Sequence, residues 1–269
     1  MIPLAIPNLG GNEARYLQQC IETNFVSSVG PFVDRFEEQL AEAAGTPHAI
    51  ATQSGTAALH LALLGLGIGA GDGVLMPSFT FIAPANAVAY TGAEPIFLDM
   101  TPDSWTLDCV ALETFITGEC EASGGKLIHR ASSRNIAAIL TVHTLGHPSD
   151  MAALSAVAYA NDLPLVADGA AALGATCRGR PAMALGAVGA LSFNGNKTIT
   201  CGGGGALVGT DQTLMDLVGH LSNTARVSSS YDHDRIGYNY RMTNLQAAVG
   251  CAQLERLDEL LAAKVAIAA

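Results

Sequence analysis

Short apolar runs that favour β-strands alternate along the chain with segments whose apolar residues recur at helical spacing. The predicted strands are residues 48–52, 74–77, 95–99, 136–143, 163–168, 190–193 and 206–209. The predicted helices are residues 12–23, 33–43, 56–66, 83–90, 108–117, 150–161, 211–221 and 243–264. This alternation predicts a mainly parallel sheet with helices on both faces. Ligands of such sheets bind beyond the carboxyl ends of the strands, so residues that follow a strand are the first candidates for function.

Two segments depart from this alternation. Residues 117–133 are polar and contain glycine, which predicts an excursion over the surface. Residues 254–261 have a strong amphipathic pattern that continues towards Ala269 without a capping glycine or a proline. We therefore expect residues 1–269 to be one large domain with the start of a connecting helix, and a C-terminal small domain to be missing.

The composition excludes several classes of protein. Of the 269 residues, 49% are hydrophobic, which is enough to bury a large core. The net charge of −11 leaves no basic stripe for nucleic acid. No segment has the length and hydropathy of a membrane span, and the N-terminus lacks the pattern of a signal peptide. The six cysteines are scattered without a CxxC pair, which predicts reduced thiols of a cytoplasmic protein and no zinc site.

The first candidate for binding is residues 53–58 (QSGTAA), between a predicted strand and a predicted helix. A helix N-terminus offers unpaired N–H groups and a positive dipole end, which suit a phosphate. Gly55 allows close approach of the backbone, and Thr56 adds a hydroxyl. Taken alone, the segment fits an ordinary helix cap better than a phosphate site.

The second candidate is Asp168, which directly follows an apolar strand. A carboxylate in this place can pair with a pyridinium nitrogen and keep it protonated, which makes the ring an electron sink. The alternative is an aspartate that caps the next turn.

The third candidate is Lys197, in a loop that follows a strand and precedes the four glycines 202–205. A lysine held in a tight polar loop is suited to form a Schiff base, and glycine neighbours admit a flat cofactor. Ser192 could donate a hydrogen bond to the same phosphate. The alternative is a solvated lysine in a glycine hairpin, which the flanking pattern disfavours.

Two other motifs are not taken as sites. His143 and His147 have the HxxxH spacing of metal ligands, but Gly146 and Pro148 argue against a helix that would align the two rings. The glycines within residues 65–73 form no complete GxGxxG and follow a predicted helix, so a dinucleotide site is not expected.

Taken together, these segments resemble the DegT/DnrJ/EryC1/StrS family of sugar aminotransferases. The resemblance runs along nearly the whole chain in the family order, through residues 54–59 (SGTAAL), 77–81 (PSFTF), 92–95 (GAEP), 143–151 (HTLGHPSDM), 167–168 (AD), 192–205 (SFNGNKTITCGGGG) and 237–242 (GYNYRM). Residues 7–13 (PNLGGNE), 25–30 (FVSSVG) and 193–197 (FNGNK) are similar to a branch that acts on UDP-linked 4-keto-6-deoxy-N-acetylhexosamines.

The resemblance implies a fold and a cofactor. The fold is the large domain of aspartate aminotransferase, a three-layer αβα sandwich around a mainly parallel seven-stranded sheet. The cofactor is pyridoxal 5′-phosphate (PLP). The implied roles are a Schiff base for Lys197, pairing with the pyridine nitrogen for Asp168, phosphate binding for Thr56, Ala57 and Ser192 beside Gly55, ring stacking for Phe81, and contact with the cofactor phosphate of a second subunit for Asn239.

The implied activity is transamination of a nucleotide-linked 4-keto-6-deoxy sugar, with glutamate as the amino donor and a homodimer as the active unit. Two positions depart from the family pattern, and they concern the tuning of the cofactor more than its identity. Ala171 stands where the family usually has a polar residue, and Gly169 where alanine is usual. The rival interpretations are a desulfurase or sugar dehydratase of the same fold, and a cofactor-binding fragment without activity.

Overall fold

Helices and strands alternate along the chain, as the hydrophobic pattern predicts. The structure is a computed structural model, and it describes residues 2–3 and 5–268. The strands are β1 (His48–Thr52), β2 (Asp72–Pro77), β3 (Glu94–Leu98), β4 (Cys120–Ser123), β5 (Lys126–His129), β6 (Arg134–Val142), β7 (Leu165–Asp168), β8 (Thr176–Cys177), β9 (Arg180–Pro181), β10 (Val188–Ser192) and β11 (Gly205–Gly209). The helices are α1 (Glu13–Glu22), α2 (Pro31–Ala44), α3 (Gly55–Gly65), α4 (Ile82–Tyr90), α5 (Cys109–Glu119), α6 (Met151–Ala160), α7 (Gln212–Ser222), α8 (Asn244–Leu254) and α9 (Leu257–Ala268).

The main sheet has the strand order β1-β11-β10-β7-β6-β2-β3. Strand β11 is antiparallel to both of its neighbours, whereas the β10–β7, β7–β6, β6–β2 and β2–β3 pairs are parallel. The carboxyl ends of β1, β10, β7, β6 and β2 therefore meet at one edge of the sheet, together with the amino end of β11. All seven predicted strands are present in this path.

Helices cover both faces of the sheet, because successive residues of each buried strand point to opposite sides. Leu207 of β11 packs in the cluster formed with α3, α4 and α7. Its neighbours Ala206 and Val208 pack in the cluster formed with α1, α2 and α8. A third cluster joins α5 and α6 to β6 and β7. The predicted fold class, a three-layer αβα sandwich with a mainly parallel sheet, is confirmed.

Two segments differ in detail from the predicted elements. Residues 117–133, expected to be an excursion over the surface, are mostly exposed; they complete α5 and form the antiparallel hairpin β4–β5, which pairs with β6. Gly124 and Gly125 make its turn with positive φ, so the glycines mark a tight hairpin. The predicted helix 243–264 is two helices that separate at Glu255 and Arg256. The side chain of Glu255 binds Tyr16 and Arg35. The side chain of Arg256 binds Asn8 and, in α9, Glu259.

In the described part of the chain, every helix is too short or too polar to cross a membrane. All six cysteines carry free thiols.

Candidate functional site

The first turn of α3 and the end of β10 are in close contact at the carboxyl edge of the sheet. Thr52 of β1 and Ser192 of β10 are both paired with Gly205 of β11, so the three residues lie side by side across the sheet. A Cβ atom on Gly205 would lie 2.4 Å from the backbone nitrogen of Gly55. A Cβ atom on Gly55 would lie 3.0 Å from Cβ of Ser192. The glycines therefore let the turn that starts α3 rest directly on the neighbouring strands.

This turn has the properties of an anion site. Ser54 caps α3, because its Oγ accepts a hydrogen bond from the Ala57 backbone N–H at 3.1 Å. The N–H groups of Gly55 and Thr56 lie in the first helical turn, where the helix itself offers no acceptor. The half-buried hydroxyl groups of Thr56 and Ser192 flank the same place. The helix dipole, the amides and the hydroxyls together favour a bound phosphate.

Asp168 lies at the end of β7, which is separated from β1 by β11 and β10, and is 5% exposed. Its Oδ1 accepts a hydrogen bond from the Ala170 N–H at 2.9 Å. Burial raises the pKa of Asp168 to about 6, against the smaller lowering effects of the Ala170 hydrogen bond and the positive charge of Lys197. A buried carboxylate of this kind favours a cationic partner such as a protonated ring nitrogen.

The position of Met183 explains why glycine stands at position 169, where the family usually has alanine. A Cβ atom on Gly169 would lie 2.1 Å from Sδ and 2.5 Å from Cε of Met183, which is itself buried. The methionine side chain fills the space that alanine would need, so Gly169 and Met183 are matched to one another. The carboxylate of Asp168 keeps its hydrogen bond from Ala170 in this arrangement.

Lys197 lies in the loop of residues 193–204 that joins β10 to β11. Two hydrogen bonds close the base of the loop, from Phe193 N to Gly204 O and from Cys201 N to Phe193 O, both at 2.9 Å. Lys197 itself is half-buried, and its backbone N–H donates to Asn194 O at 3.0 Å. Its ammonium group is near enough to Asp168 to lower the pKa of that carboxyl. The structure thus brings Lys197, Asp168 and Ser192 to one site.

The end of β6 adds a buried histidine beside Asp168, which the sequence offered only as half of a disfavoured metal motif. The His143 N–H donates to Asp168 O at 2.9 Å, and His143 Nδ1 accepts from the Ser149 N–H at 3.2 Å. Burial, with a smaller effect of His147, lowers the pKa of His143 to about 4. Residues 144–146 form a short 3-10 turn with Leu145 in a left-handed conformation, so an α-helix does not align His143 with His147. Within residues 2–3 and 5–268, no cluster of His, Cys, Asp or Glu is suited to a metal ion.

Two of the predicted binding residues lie on the open side of the site. Phe81 precedes α4 and is 77% exposed. Asn239 is also exposed, in a segment tied to the end of β1 by a 2.8 Å hydrogen bond from Gln53 N to Tyr240 O. Ala171 is exposed and offers no polar side chain to the site. The buried and open sides therefore differ in how completely this chain surrounds them.

The chemistry of these residues fits PLP. The cofactor has a phosphate, a ring nitrogen and an aldehyde, and the site offers a helix N-terminus, a buried carboxylate and a lysine amine. Gly55 and Gly205 let the first turn of α3 pack directly against β10 and β11, which places its N–H groups beside Ser192.

Comparisons with known proteins agree with this assignment. The chain matches the model of the DegT/DnrJ/EryC1/StrS aminotransferase family over residues 7–269. A GDP-perosamine synthase of Caulobacter vibrioides is 42% identical over 264 residues, which cover 98% of this chain and 67% of the relative. EpsN of Bacillus subtilis, provisionally named a pyridoxal phosphate-dependent aminotransferase, is 39% identical over 96% of this chain and 64% of its own length.

A solved structure is also similar. The crystal structure of a DegT DnrJ EryC1 StrS aminotransferase from Brucella abortus has a TM-score of 0.85 and 32% identity, over 92% of this chain and 64% of that one. The chain therefore spans about two thirds of the length of these proteins. The resemblance to the family and the PLP cofactor are confirmed. The UDP-linked branch is not supported by the Caulobacter relative, whose name contains GDP.

Proposed function

We propose that this chain, which belongs to the DegT/DnrJ/EryC1/StrS aminotransferase family, carries the cofactor site of an enzyme that aminates a nucleotide-linked 4-keto-6-deoxy sugar. Glutamate is the proposed amino donor. The observation that carries the proposal is the convergence of Lys197, Asp168 and the first turn of α3 at one edge of the sheet. Members of this family are sugar aminotransferases, and the finer choice of substrate is our inference.

Each residue in the site has a proposed role. The N–H groups of Gly55, Thr56 and Ala57, with the hydroxyl of Ser192, bind the cofactor phosphate. Asp168 holds the proton on the ring nitrogen, and Lys197 binds the cofactor covalently through Nζ. When bound, PLP supplies an electron sink that stabilises negative charge at the substrate carbon.

Lys197 also moves the proton. With the cofactor bound, Nζ would take the proton from the carbon of the amino donor and return it to the product. A general base must lie within reach of the proton that it takes, and the half-buried Lys197 lies beside Asp168 at the site. Asp168 acts through charge, since its ionised form favours a protonated ring at the moment that negative charge develops.

The proposed nucleotide is GDP. The Caulobacter relative is named for the synthesis of GDP-perosamine and is 42% identical over almost the whole of this chain. The same fold and the same cofactor serve many substrates, so the nucleotide has to be tested separately from the chemistry.

The proposed assembly is a homodimer in which Asn239 reaches the cofactor phosphate of the other subunit. Its support is the position of Asn239, exposed beside the end of β1 and thus available to a second chain. Phe81, 77% exposed before α4, is the proposed stacking residue and would be covered by the cofactor ring.

A half-reaction tests the proposed chemistry. Protein loaded with PLP is mixed with glutamate, and absorbance reports the conversion of PLP to its amine form; alanine and cysteine are the comparison donors. Keto sugars linked to GDP, UDP or dTDP are then added in turn. We expect glutamate to convert the cofactor and a GDP-linked keto sugar to restore it. Formation of alanine from cysteine, with the sulfur passed to an added thiol, would favour a desulfurase, and conversion by no amino acid would favour a cofactor-binding fragment.

A further inference from the structure

We infer that Gln253 is a positioning residue that fixes the Lys197 loop against the N-terminal segment of residues 7–13. The inference rests on the proposed function, because Lys197 gives the loop its importance. Gln253 lies near the end of α8, is 2% exposed, and contacts both the loop and the N-terminal segment.

Both the oxygen and the nitrogen of the Gln253 carboxamide form hydrogen bonds. Its Oε1 accepts a hydrogen bond from the Thr200 backbone N–H at 3.3 Å. Its Nε2 donates to Asn8 O at 2.8 Å and to Glu13 Oε1 at 2.5 Å. Glutamine is suited to this place because one buried group must both donate and accept. An apolar side chain would leave buried polar partners unsatisfied, and a glutamate would oppose the carboxylate of Glu13.

On the loop side, Thr200 is the residue that transmits this contact. Thr200 is buried, its Oγ1 donates to Phe193 O at 3.2 Å, and it accepts from the Gly202 N–H at 2.9 Å. Thr200 therefore joins the two ends of the loop that contains Lys197. Because Gln253 binds the Thr200 N–H, it fixes the part of the loop that follows the lysine.

On the N-terminal side, the contacts hold residues 7–13 against the same loop. Asn8 Oδ1 accepts from Arg256 Nη1 at 3.1 Å, and Glu13 Oε2 accepts from the Gly11 N–H at 2.8 Å. Pro7 Cγ lies 3.8 Å from the position of a Cβ atom on Gly195. Gln253 thus links this segment to the Lys197 loop, so a displacement of one would displace the other.

The test compares three variants in the cofactor-free protein. Gln253→Met removes the hydrogen bonds at nearly constant volume. The double variant Glu13→Gln/Gln253→Glu keeps an acceptor for the Thr200 N–H and a donor–acceptor pair with residue 13, and gives up only the hydrogen bond to Asn8 O. Leu112→Ala is the control, since Leu112 is fully buried in a different core cluster and its truncation lowers stability without touching the loop. Hydrogen exchange of residues 198–203 and PLP affinity by absorbance are measured for each, together with the melting temperature.

We expect exchange in the loop to rise about tenfold in Gln253→Met, equivalent to about 1.4 kcal/mol, and PLP affinity to fall with it. The double variant should return exchange to within about threefold of the original protein, a difference well below the single substitution. Leu112→Ala should lower the melting temperature and leave loop exchange unchanged.

Loop exchange in Gln253→Met that matches the Leu112→Ala control would overturn the inference, because the residue would then be merely structural. Should Gln253→Met fail to fold, Gln253→Glu alone replaces it, and the same rise and the same recovery in the double variant are required. Borohydride reduction of the unsubstituted protein separates this result from the proposed function. Failure to trap PLP on Lys197 would reject that function and leave the exchange result standing.

Discussion

The candidate site has a buried side and an open side, and they are built differently. On the buried side, Asp168 is 5% exposed and the Lys197 loop is closed by hydrogen bonds of its own chain. On the open side, Phe81 is 77% exposed and Asn239 is exposed as well. The buried side is therefore complete within the described chain, whereas the open side presents groups that a ligand or a second subunit can cover.

This difference separates two kinds of contribution to function. Groups on the buried side have their charge and direction fixed before any ligand arrives, which is the condition for strong electrostatic stabilisation. Groups on the open side gain their contacts only on binding, so each contributes to the affinity for the cofactor and little to the rate of the reaction. Substitutions on the two sides should therefore fail in different ways.

Lys197→Ala should have the largest effect, which is complete loss of transamination. The substitution removes both the covalent attachment and the amine that moves the proton. Borohydride reduction followed by peptide mapping should place PLP on Lys197 in the unsubstituted protein and on no peptide of the variant. Lys126→Ala is the matched control, because Lys126 lies in the β4–β5 hairpin at the opposite edge of the sheet. Attachment of PLP to any lysine other than Lys197 would contradict the assignment.

Asp168→Asn should lower the rate of the glutamate half-reaction by roughly 10²–10³ or more, because a charge is removed where it stabilises the reaction. Asparagine keeps an oxygen that can accept from the Ala170 N–H, so the local fold should persist. Single-turnover absorbance measures the rate directly. A near-normal rate would rule out pairing of Asp168 with the ring nitrogen.

The same substitution should act in the opposite direction on the stability of the cofactor-free protein. Asp168 has a pKa of about 6 in the folded chain, against an ordinary value of 3.8 for an aspartate in water. The folded state therefore holds more protons between these values, and the contribution of Asp168 to stability is lost as pH rises through them. Asp168→Asn should stabilise the protein at pH 7 by at most about 3 kcal/mol and converge with it below about pH 4. Urea unfolding across this range gives the comparison.

The convergence of residues on the buried side can be predicted from the sequence for a physical reason. Parallel strands end at a common edge, so polar residues that follow apolar runs converge there without knowledge of the tertiary contacts. Asp168, Ser192 and Lys197 are predicted in this way, and their roles stay predictions. The position of Thr56 follows from the same rule, because it lies in the turn after β1.

Other features depend on contacts between residues that are far apart in the chain, and no local pattern contains them. Gln253 reaches Asn8 and Thr200 from the end of α8, in a segment that reads as continuous helix. The division of that helix depends on Glu255 and Arg256, whose partners include residues of the N-terminal region. The pairing of Gly169 with Met183 is likewise a match of volumes that only the folded chain displays.

Gly205→Ala should damage the buried side by steric conflict. Its Cβ atom would lie 2.4 Å from backbone atoms of Ser54 and Gly55, which have no rotamer with which to move away. We expect a loss of about 1–3 kcal/mol in the free energy of unfolding and weaker binding of PLP, since the turn that holds its phosphate is displaced. Thermal unfolding and absorbance titration measure the two effects.

Gly203→Ala is the matched control for this substitution. The nearest atom to its added Cβ is Nε2 of Gln246, 3.3 Å away at the end of a flexible side chain. It should leave stability and PLP affinity nearly unchanged. Equal losses in the two alanine variants would mean that the loop, and not the contact with α3, governs the result.

Asn239→Ala should have the smallest effect and sharpen the contrast between the two sides. Asn239 is exposed, so its truncation should leave the melting temperature of the cofactor-free protein unchanged. In the proposed homodimer it donates a hydrogen bond to the phosphate of the other subunit, and its loss should weaken PLP binding about tenfold, or about 1.4 kcal/mol. Asn161→Ala, at the end of α6, is the control and should bind PLP normally.

The assembly itself gives the final test of Asn239. If its contribution crosses subunits, PLP affinity of the unsubstituted protein should fall on dilution as sedimentation shows dimers giving way to monomers, because anything that binds only the assembled form is linked to its concentration. Asn239→Ala should lose this concentration dependence in part and should dimerise as before. A monomer that binds PLP with full affinity at every concentration, and equally well after Asn239→Ala, would show that this chain completes the open side of its site alone.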